Sequence, residues 1–174
     1  MPCTRNLISA VLFAAALFGA HTAAHAASPD VTLNDIHGGA HHFSEYIGRG
    51  KWTVLVVWGP RCPPCIEEMP ELQAFHDAHQ EKTAIVMGVA VDFPSFGAAR
   101  RDEVAKFMDD YFIGFPVLLG DAEVFTRFGG ALLEGVPTTV VYDRKGAIVV
   151  RHTGSVTRDM LERFIQKWDR EDRL

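Results

Sequence analysis

Short continuous apolar runs, separated by segments rich in Gly, Pro and Asp, recur along this chain and predict its strands. Seven strands are predicted, at residues 31–33, 40–43, 53–58, 85–91, 115–119, 138–142 and 147–152. The first two and the last two are predicted to form hairpins, because turns that contain glycine join them. The two longest apolar runs are typical of strands that are buried on both faces.

Other apolar residues recur at helical spacing, and they predict four helices, at residues 66–79, 104–112, 122–128 and 160–168. The stripe of the second helix consists of Val104, Phe107, Met108, Tyr111 and Phe112, and that of the fourth of Met160, Leu161, Phe164, Ile165 and Trp168. Strands that alternate with helices and are followed by a hairpin and a last helix predict an α/β fold. In such a fold, helices cover both faces of a mixed sheet.

The N-terminal segment departs from this globular pattern. Arg5 is its charged residue, residues 7–19 are apolar, and Ala24-His25-Ala26 has the small residues of a cleavage site. We predict a signal peptide over residues 1–26, cleaved near Ala26, and one folded domain over residues 27–174. An uncleaved membrane anchor is the less favoured alternative, because the apolar run is shorter than the roughly 20 residues of a spanning helix. The predicted location is therefore the periplasm.

Cleavage would change both the charge and the cysteine content. It removes Arg5 from the 17 basic residues, so 16 remain against 22 acidic ones, a net charge of −6. A mildly acidic chain without basic clusters argues against nucleic acid as a partner. Cleavage also removes Cys3, which leaves Cys62 and Cys65. A disulfide between such close cysteines constrains little of the unfolded chain, so we predict a reactive pair rather than a structural one.

Cys62-Pro63-Pro64-Cys65 stands at a predicted strand-to-helix junction. The unpaired N–H groups and partial positive charge of a helix N-terminus favour a thiolate, and the neighbouring cation of Arg61 is expected to add to that effect. Pro63 suits the first helical turn, where an N–H has no partner. We therefore predict that Cys62 is an exposed nucleophile with a lowered pKa and that Cys65 is the resolving thiol. A zinc site would need ligands beyond these two.

With the order of elements, these residues resemble the thioredoxin superfamily, above all its exported TlpA/ResA/CcmG-type thiol–disulfide oxidoreductases. The resemblance covers about residues 31–168. It rests on Trp58 four residues before Cys62, the Cys62-Pro63-Pro64-Cys65 motif, Pro70 five residues after Cys65, and Gly135-Val136-Pro137-Thr138-Thr139. The strand and helix between residues 84 and 119 match the family's central insertion. Two positions depart from thioredoxin itself: Arg61 replaces its Trp, and Val56 replaces its buried Asp.

The resemblance implies a thioredoxin-like three-layer sandwich and the activity of a protein-disulfide reductase. Its clients would be exported proteins, such as apocytochrome c or proteins with copper-site cysteines. Its electrons would come from a membrane-bound donor of the DsbD/CcdA type. It implies no organic cofactor and no metal, and a monomer is expected. Oxidation of the DsbA type is less expected, because the chain has no room for a large separate helical insertion.

Glu68 is a further candidate catalytic residue. At roughly 100° per residue it falls on the apolar face of the first helix, one turn from Cys65, whereas Glu67 faces outward. A carboxyl group that faces the core is expected to have a raised pKa and to be able to exchange protons with Cys65. ResA-like proteins carry an acid at the same offset. The alternative is a surface Glu that complements the helix dipole.

Val136 and Pro137 form the second part of the predicted site. Sequence alone favours a trans X-Pro bond, but the resemblance implies a cis bond that exposes the Val136 backbone to an extended client segment. Trp58 and Arg61 complete the predicted substrate-binding set, although Trp58, an aromatic in a strand, is also expected to pack beneath the active-site turn. Asp92 ends a strand on the same side, and a solvated loop acid is its favoured interpretation.

The main alternative function is copper binding, in which the two thiols and a histidine would hold Cu(I). The histidines give it weak support. His41 and His42 would point to opposite sides of one strand, and His76 and His79 stand near a helix end, where imidazole commonly complements the dipole. Peroxidase chemistry is disfavoured, because the Thr that usually precedes a peroxidatic Cys is missing.

Overall fold

The structure, a computed structural model, describes residues 31–171 and contains one seven-stranded sheet. The strands are β1 (Thr32–Asp35), β2 (Ala40–His42), β3 (Trp52–Trp58), β4 (Ala84–Ala90), β5 (Val117–Leu119), β6 (Thr138–Tyr142) and β7 (Ile148–Thr153). Their order in the sheet is β2-β1-β5-β4-β3-β6-β7. β3, β4 and β5 run parallel and the other pairs are antiparallel. The predicted mixed sheet and both predicted hairpins are therefore confirmed.

Within residues 31–171, four α-helices accompany the sheet: α1 (Pro63–His79), α2 (Arg101–Asp110), α3 (Ala122–Gly129) and α4 (Arg158–Glu171), and a short 3-10 helix covers Phe43–Glu45. Successive side chains of a strand point to opposite faces, and β3, which is buried throughout, separates two cores in this way. Trp52, Val54, Val56 and Trp58 belong to the core shared with α1, α2 and α4, and Leu55 and Val57 to the core shared with α3. Helices thus lie on both faces, and the α/β three-layer sandwich is confirmed.

The second helix ends earlier than its apolar stripe predicts. Tyr111 is 43% exposed and Phe112 is 86% exposed, so neither packs in the core as expected. Phe112 adopts a positive φ of 54°, which ends the helix, and the Ile113 N–H then bonds the Met108 carbonyl at 2.9 Å. Met160, at 47% exposure, likewise lies at the edge of the α4 stripe rather than within it.

The topology brings four chain segments to one edge of the sheet. Because β3 and β4 are parallel, their carboxyl ends meet there, and β6 begins at the same edge because it is antiparallel to β3. α1 starts directly beyond β3. The predicted signal peptide, residues 1–26, lies outside the described residues and stays a prediction. Between residues 31 and 171, no helix combines the length and the apolar composition required to cross a membrane.

Candidate active site

Cys62 is the N-cap residue of α1, at the predicted strand-to-helix junction. Its φ of −92° and ψ of 108° are extended, Pro63 opens the helix, and the Cys62 N–H is bonded to the Gly59 carbonyl at 3.1 Å. The Cys65 N–H points back at Cys62 Sγ over 3.3 Å. One free donor of the helix N-terminus is therefore aimed at this sulfur, which is the arrangement that stabilises a thiolate after reduction.

Cys62 and Cys65 are joined in a disulfide, with their Cα atoms 5.2 Å apart. Both residues have no exposed surface, so the expectation that Cys62 is exposed is wrong for the disulfide form. The physical reason is that the sulfur turns inward: Cys62 Sγ lies 3.6 Å from the Val136 carbonyl oxygen, across the gap between α1 and the segment before β6. Access of a client to Cys62 Sγ therefore depends on the position of the backbone segment that contains Val136.

The Val136–Pro137 peptide bond is cis, as the resemblance implied. Two hydrogen bonds hold the segment: the Gly154 N–H donates to the Pro137 carbonyl at 2.9 Å, and the Thr138 hydroxyl donates to the Gly135 carbonyl at 2.7 Å. Val136 itself is half-buried and packs against the cores on both sides of the sheet. The Val136 carbonyl is thus held next to the reactive sulfur by the hairpin of β6 and β7.

Glu68 faces the core, as the helical projection predicted, and it is 2% exposed. Its Oε2 accepts the Val156 N–H at 3.0 Å, and its Oε1 has no hydrogen-bond partner within residues 31–171. Burial raises the pKa of Glu68 to about 7, and the Val156 hydrogen bond offsets only part of this rise. A carboxyl group one turn from Cys65 therefore titrates close to neutral pH, whereas Glu67 is exposed.

Trp58 lies beneath the active-site turn and is fully buried. Its ring packs on Phe107, with centroids 4.7 Å apart, and a Cβ at Gly88 would come within 3.0 Å of the indole nitrogen. No part of the Trp58 side chain reaches the surface in the disulfide form, so its place in the substrate-binding set stays a prediction. The indole supports the turn from below, and Gly88 provides the space for it.

Arg61 precedes the disulfide and keeps 54% of its side chain exposed. Its Nη2 donates to Asp92 Oδ1, and its Nε lies 3.7 Å from Glu103 Oε2. The pKa of Asp92 is held below its ordinary value, first because the Ser95 hydroxyl donates to it and further because Arg61 is close. The interpretation of Asp92 as a merely solvated loop acid is wrong, since it contacts the active-site turn directly.

Two of the histidines considered as Cu(I) ligands have other hydrogen-bond partners. His41 Nε2 is 3.0 Å from Asp35 Oδ2, and its Nδ1 is 3.1 Å from the Tyr46 hydroxyl. His76 Nδ1 accepts the Val86 N–H at 3.1 Å. In the part of the chain that the structure describes, no three His, Cys, Asp or Glu side chains are grouped to hold a metal ion.

Sequence reasoning found the residues of the disulfide and of the cis bond and placed Asp92 on the same side, but it missed Glu103 and the contact of both carboxylates with Arg61. Glu103 is in α2 and shows no pattern that connects it to the turn, because the two segments meet only in the folded sheet. Asp92 had a usable signal, since it follows β4 at the edge where the site lies. Its partner was not predictable from that position alone.

A thioredoxin fold that carries a Cys62–Cys65 disulfide at the start of its first long helix defines a class: this is a thioredoxin-like thiol–disulfide oxidoreductase. The chain belongs to the AhpC/TSA family, whose profile matches residues 24–151. Within that family it belongs with the ResA-type thiol–disulfide oxidoreductases.

Named relatives support this assignment. The thiol-disulfide oxidoreductase ResA of Halalkalibacterium halodurans is 30% identical over 135 residues, which cover 77% of this chain and 70% of ResA. The thioredoxin-like protein YneN of Bacillus subtilis is 29% identical over 135 residues, 78% of this chain and 74% of YneN. A putative thioredoxin from Neisseria meningitidis, solved in solution, superposes with a TM-score of 0.68 at 27% identity, covering 84% of this chain and 93% of its own. The predicted resemblance and enzyme class are confirmed.

Proposed function

We propose that the protein is exported by residues 1–26 and that residues 27–174 reduce disulfides in client proteins outside the cytoplasm. The placement of Cys62 Sγ carries this proposal: it lies at the first turn of α1, faced by the Cys65 N–H at 3.3 Å and by the Val136 carbonyl at 3.6 Å. The first neighbour favours the thiolate. The second belongs to a backbone segment that can align a client chain.

In the proposed reaction, the Cys62 thiolate attacks one sulfur of a client disulfide. A mixed disulfide forms, and the other client sulfur leaves as a thiolate and takes up a proton. Cys65, as a thiolate, then attacks Cys62 Sγ, which restores the Cys62–Cys65 disulfide and releases the second client thiol. Two electrons and two protons pass to the client. The disulfide form cannot act again until it is reduced. A dithiol donor of the DsbD/CcdA type supplies the two electrons and two protons for this step and is itself oxidised to a disulfide.

Glu68 is proposed to accept the proton of Cys65 before the second step. Its pKa of about 7 suits a group that must take up a proton near neutral pH and later release it. Its Oε1, which has no partner within residues 31–171, is the atom available for this proton. The resolving step is therefore expected to slow as the pH falls below about 7, and in Glu68→Gln this inflection near pH 7 is expected to disappear, which leaves the dependence set by the Cys65 thiol itself.

The client is proposed to approach beside Val136 and Pro137, where an extended segment can pair with the Val136 backbone. Arg61, which directly precedes Cys62 and has about half of its side chain exposed, is proposed to contact the client from the other side of the disulfide. Exported proteins whose cysteines must stay reduced, such as apocytochrome c or copper-site proteins, are the proposed clients. Monomeric action is proposed, because each step uses groups of one chain.

Insulin reduction with dithiothreitol as donor tests the exchange reaction. Cys62→Ser is expected to abolish the rate above background. Cys65→Ser is expected to accumulate a mixed disulfide through Cys62, visible by mass spectrometry and released by reductant. A mixed disulfide that forms through Cys65 in Cys62→Ser but not through Cys62 in Cys65→Ser would contradict the assigned roles.

Equilibration with glutathione tests the direction. A potential well below that of the glutathione pool supports a reductase, whereas a value near about −120 mV, the range of DsbA, would contradict it. Export is tested separately, by N-terminal sequencing of the protein recovered from the periplasm of an expressing cell. A mature N-terminus near residue 27 is the expected result, and an intact Met1 there would contradict cleavage.

A further inference from the structure

We propose that Asp92 and Glu103 are positioning residues that hold the Arg61 guanidinium away from Cys62 Sγ and thereby keep the Cys62–Cys65 pair reducing. This inference rests on the proposed reductase function, since it explains how a cation next to the nucleophile is compatible with a low potential. It assigns to two carboxylates outside the Cys-X-X-Cys motif a part in setting the redox equilibrium.

The two groups are held on opposite sides of β3. In the sheet, β4 is one neighbour of β3 and β6 is the other. Cys62 Sγ turns toward the segment before β6, where it meets the Val136 carbonyl. Arg61 turns the other way, toward Asp92, which follows β4, and Glu103 of α2. The cation and the sulfur are therefore drawn apart, although their residues are adjacent in sequence.

Asp92 is itself fixed in place. Its Oδ2 accepts the Ser95 hydroxyl, its N–H donates to the Gly97 carbonyl at 2.9 Å, and its carbonyl accepts the Phe96 N–H at 2.8 Å. Only 22% of its side chain is exposed. The pair that it forms with Arg61 is therefore held by backbone and side-chain bonds, unlike the Arg100–Asp102 pair nearby, whose side chains are 63% and 71% exposed.

Gly59 allows the Asp92 loop to reach the active-site turn. A Cβ at Gly59 would lie 2.9 Å from Phe93 Cβ and 3.1 Å from the Val91 carbonyl oxygen, so a larger residue would push the loop away. The Val91 N–H also donates to the Trp58 carbonyl at 2.8 Å. The close approach of these two segments brings the Asp92 carboxylate to Arg61.

The expected consequence follows from charge. A free cation near Cys62 stabilises the thiolate, and stabilising the reduced form makes a disulfide more oxidising, as in DsbA. Neutralising that cation has the opposite effect. The charged and titratable groups around the turn are Arg61 itself, Glu68 of α1, Asp92 after β4, Arg100 at the N-cap of α2, Glu103, Lys106 and Asp110 of α2, and Tyr111 at its end. Of the acids among them, Asp92 and Glu103 are the ones whose contacts reach Arg61. Arg100 also lies near Glu103, with Nη1 3.5 Å from Oε1.

The test measures two quantities in the whole protein, namely the pKa of the Cys62 thiol and the redox equilibrium of the Cys62–Cys65 pair. In Asp92→Asn/Glu103→Gln, the pKa of Cys62, followed by its alkylation rate against pH, is expected to fall by about half a unit to one unit. The equilibrium with glutathione is expected to shift about three- to tenfold toward the dithiol, which corresponds to a potential higher by about 15–30 mV. Glu103→Gln alone leaves the Asp92 loop intact and is expected to shift both quantities in the same direction by less.

A double-mutant cycle with Arg61→Met separates action through Arg61 from direct charge effects. In the Arg61→Met background, the carboxylate substitutions are expected to change the glutathione equilibrium by less than about twofold. Asp102→Asn, which removes an equal charge from α2 and from a different arginine, is expected to have no effect. An equal shift in both backgrounds, an equal shift from Asp102→Asn, or no shift from the double substitution would each overturn the proposal. Because none of these measurements uses a protein client, failure of the reductase proposal in the insulin assay remains a separate outcome.

Discussion

The two ends of α1 differ in how completely their buried and half-buried polar groups are paired. At the end far from the disulfide, His76 Nδ1 accepts the Val86 N–H at 3.1 Å. His79 lies between two partners, with Thr83 Oγ1 3.1 Å from Nδ1 and Glu162 Oε1 3.0 Å from Nε2. These contacts connect the helix to β4 and α4. The polar groups at this end of α1 therefore stabilise the fold.

The active-site end is different. Three buried side-chain atoms have no hydrogen-bond partner between residues 31 and 171, namely Trp58 Nε1, Glu68 Oε1 and Thr139 Oγ1, and all three lie close in sequence to the disulfide or to the cis proline. Native proteins leave few such groups unpaired, because each one costs roughly 1–3 kcal/mol. The comparison teaches that the unpaired buried polar groups, which lower the stability of the fold, lie where the chemistry takes place.

Glu68→Gln is the substitution that tests this difference between the two ends with the largest expected effect. It is expected to raise the free energy of unfolding of the oxidised protein by about 3 kcal/mol at pH 8. The pKa of Glu68 is raised from 4.5 to about 7, so the folded state binds this proton more tightly than the unfolded state does. The resulting stability is fully present below about pH 4.5 and is lost as the pH rises through about 7. Gln stays neutral and keeps an acceptor for Val156. Urea unfolding between pH 4.5 and pH 8 measures the difference.

Glu67→Gln is the matched control, because Glu67 is in the same turn of α1 but is exposed. It is expected to change the free energy of unfolding by less than about 0.5 kcal/mol at every pH. If Glu68→Gln and Glu67→Gln behaved alike, Glu68 would titrate as a surface acid, and the active-site end would not carry the cost that the comparison assigns to it.

The opposite end of α1 should respond in stability alone. His76→Phe is expected to lower the free energy of unfolding by about 2 kcal/mol, because the buried Val86 N–H loses its acceptor. Val86 precedes the point where β4 begins to pair with β5, so the strand offers this N–H no other partner on that side. Burial lowers the pKa of His76, which keeps the imidazole neutral and able to accept.

The glutathione equilibrium of His76→Phe is expected to match that of the unsubstituted protein. Chemical unfolding and glutathione titration of the same sample measure both quantities. A changed redox equilibrium would show that the two ends of the helix are coupled, and it would contradict their division into a stable end and a reactive end.

Some features of the fold and of the site could be predicted from the sequence, and others could not. Periodicity gave the elements, and it placed Glu68 inward and Glu67 outward correctly, because both depend only on positions within one helix. The cis bond before Pro137 was predictable only through the resemblance, since X-Pro bonds are mostly trans. These features are local or are typical of the whole family.

The remainder depends on contacts between distant segments. The Arg61 contacts with Asp92 and Glu103 join the active-site turn to the loop after β4 and to α2, and no spacing in the sequence connects them. The burial of Cys62 has the same origin, because it depends on how the Val136 segment lies across the sulfur. The exposure of Phe112 follows from one left-handed residue, which an apolar stripe does not reveal.

The smallest expected effect compares two buried threonines of adjacent strands. Thr139 Oγ1 in β6 has no partner within the described residues, whereas Thr53 Oγ1 in β3 donates to the Tyr46 carbonyl at 2.6 Å. Valine has nearly the same shape as threonine, so Thr139→Val should remove an unpaired hydroxyl and raise the free energy of unfolding by up to about 1 kcal/mol. Thr53→Val should lower it by about 1 kcal/mol, because the Tyr46 carbonyl loses its donor. Parallel urea unfolding of the two variants measures the difference, and equal losses would mean that Thr139 is satisfied and that the polar groups of the active-site end are paired as well as those at the other end.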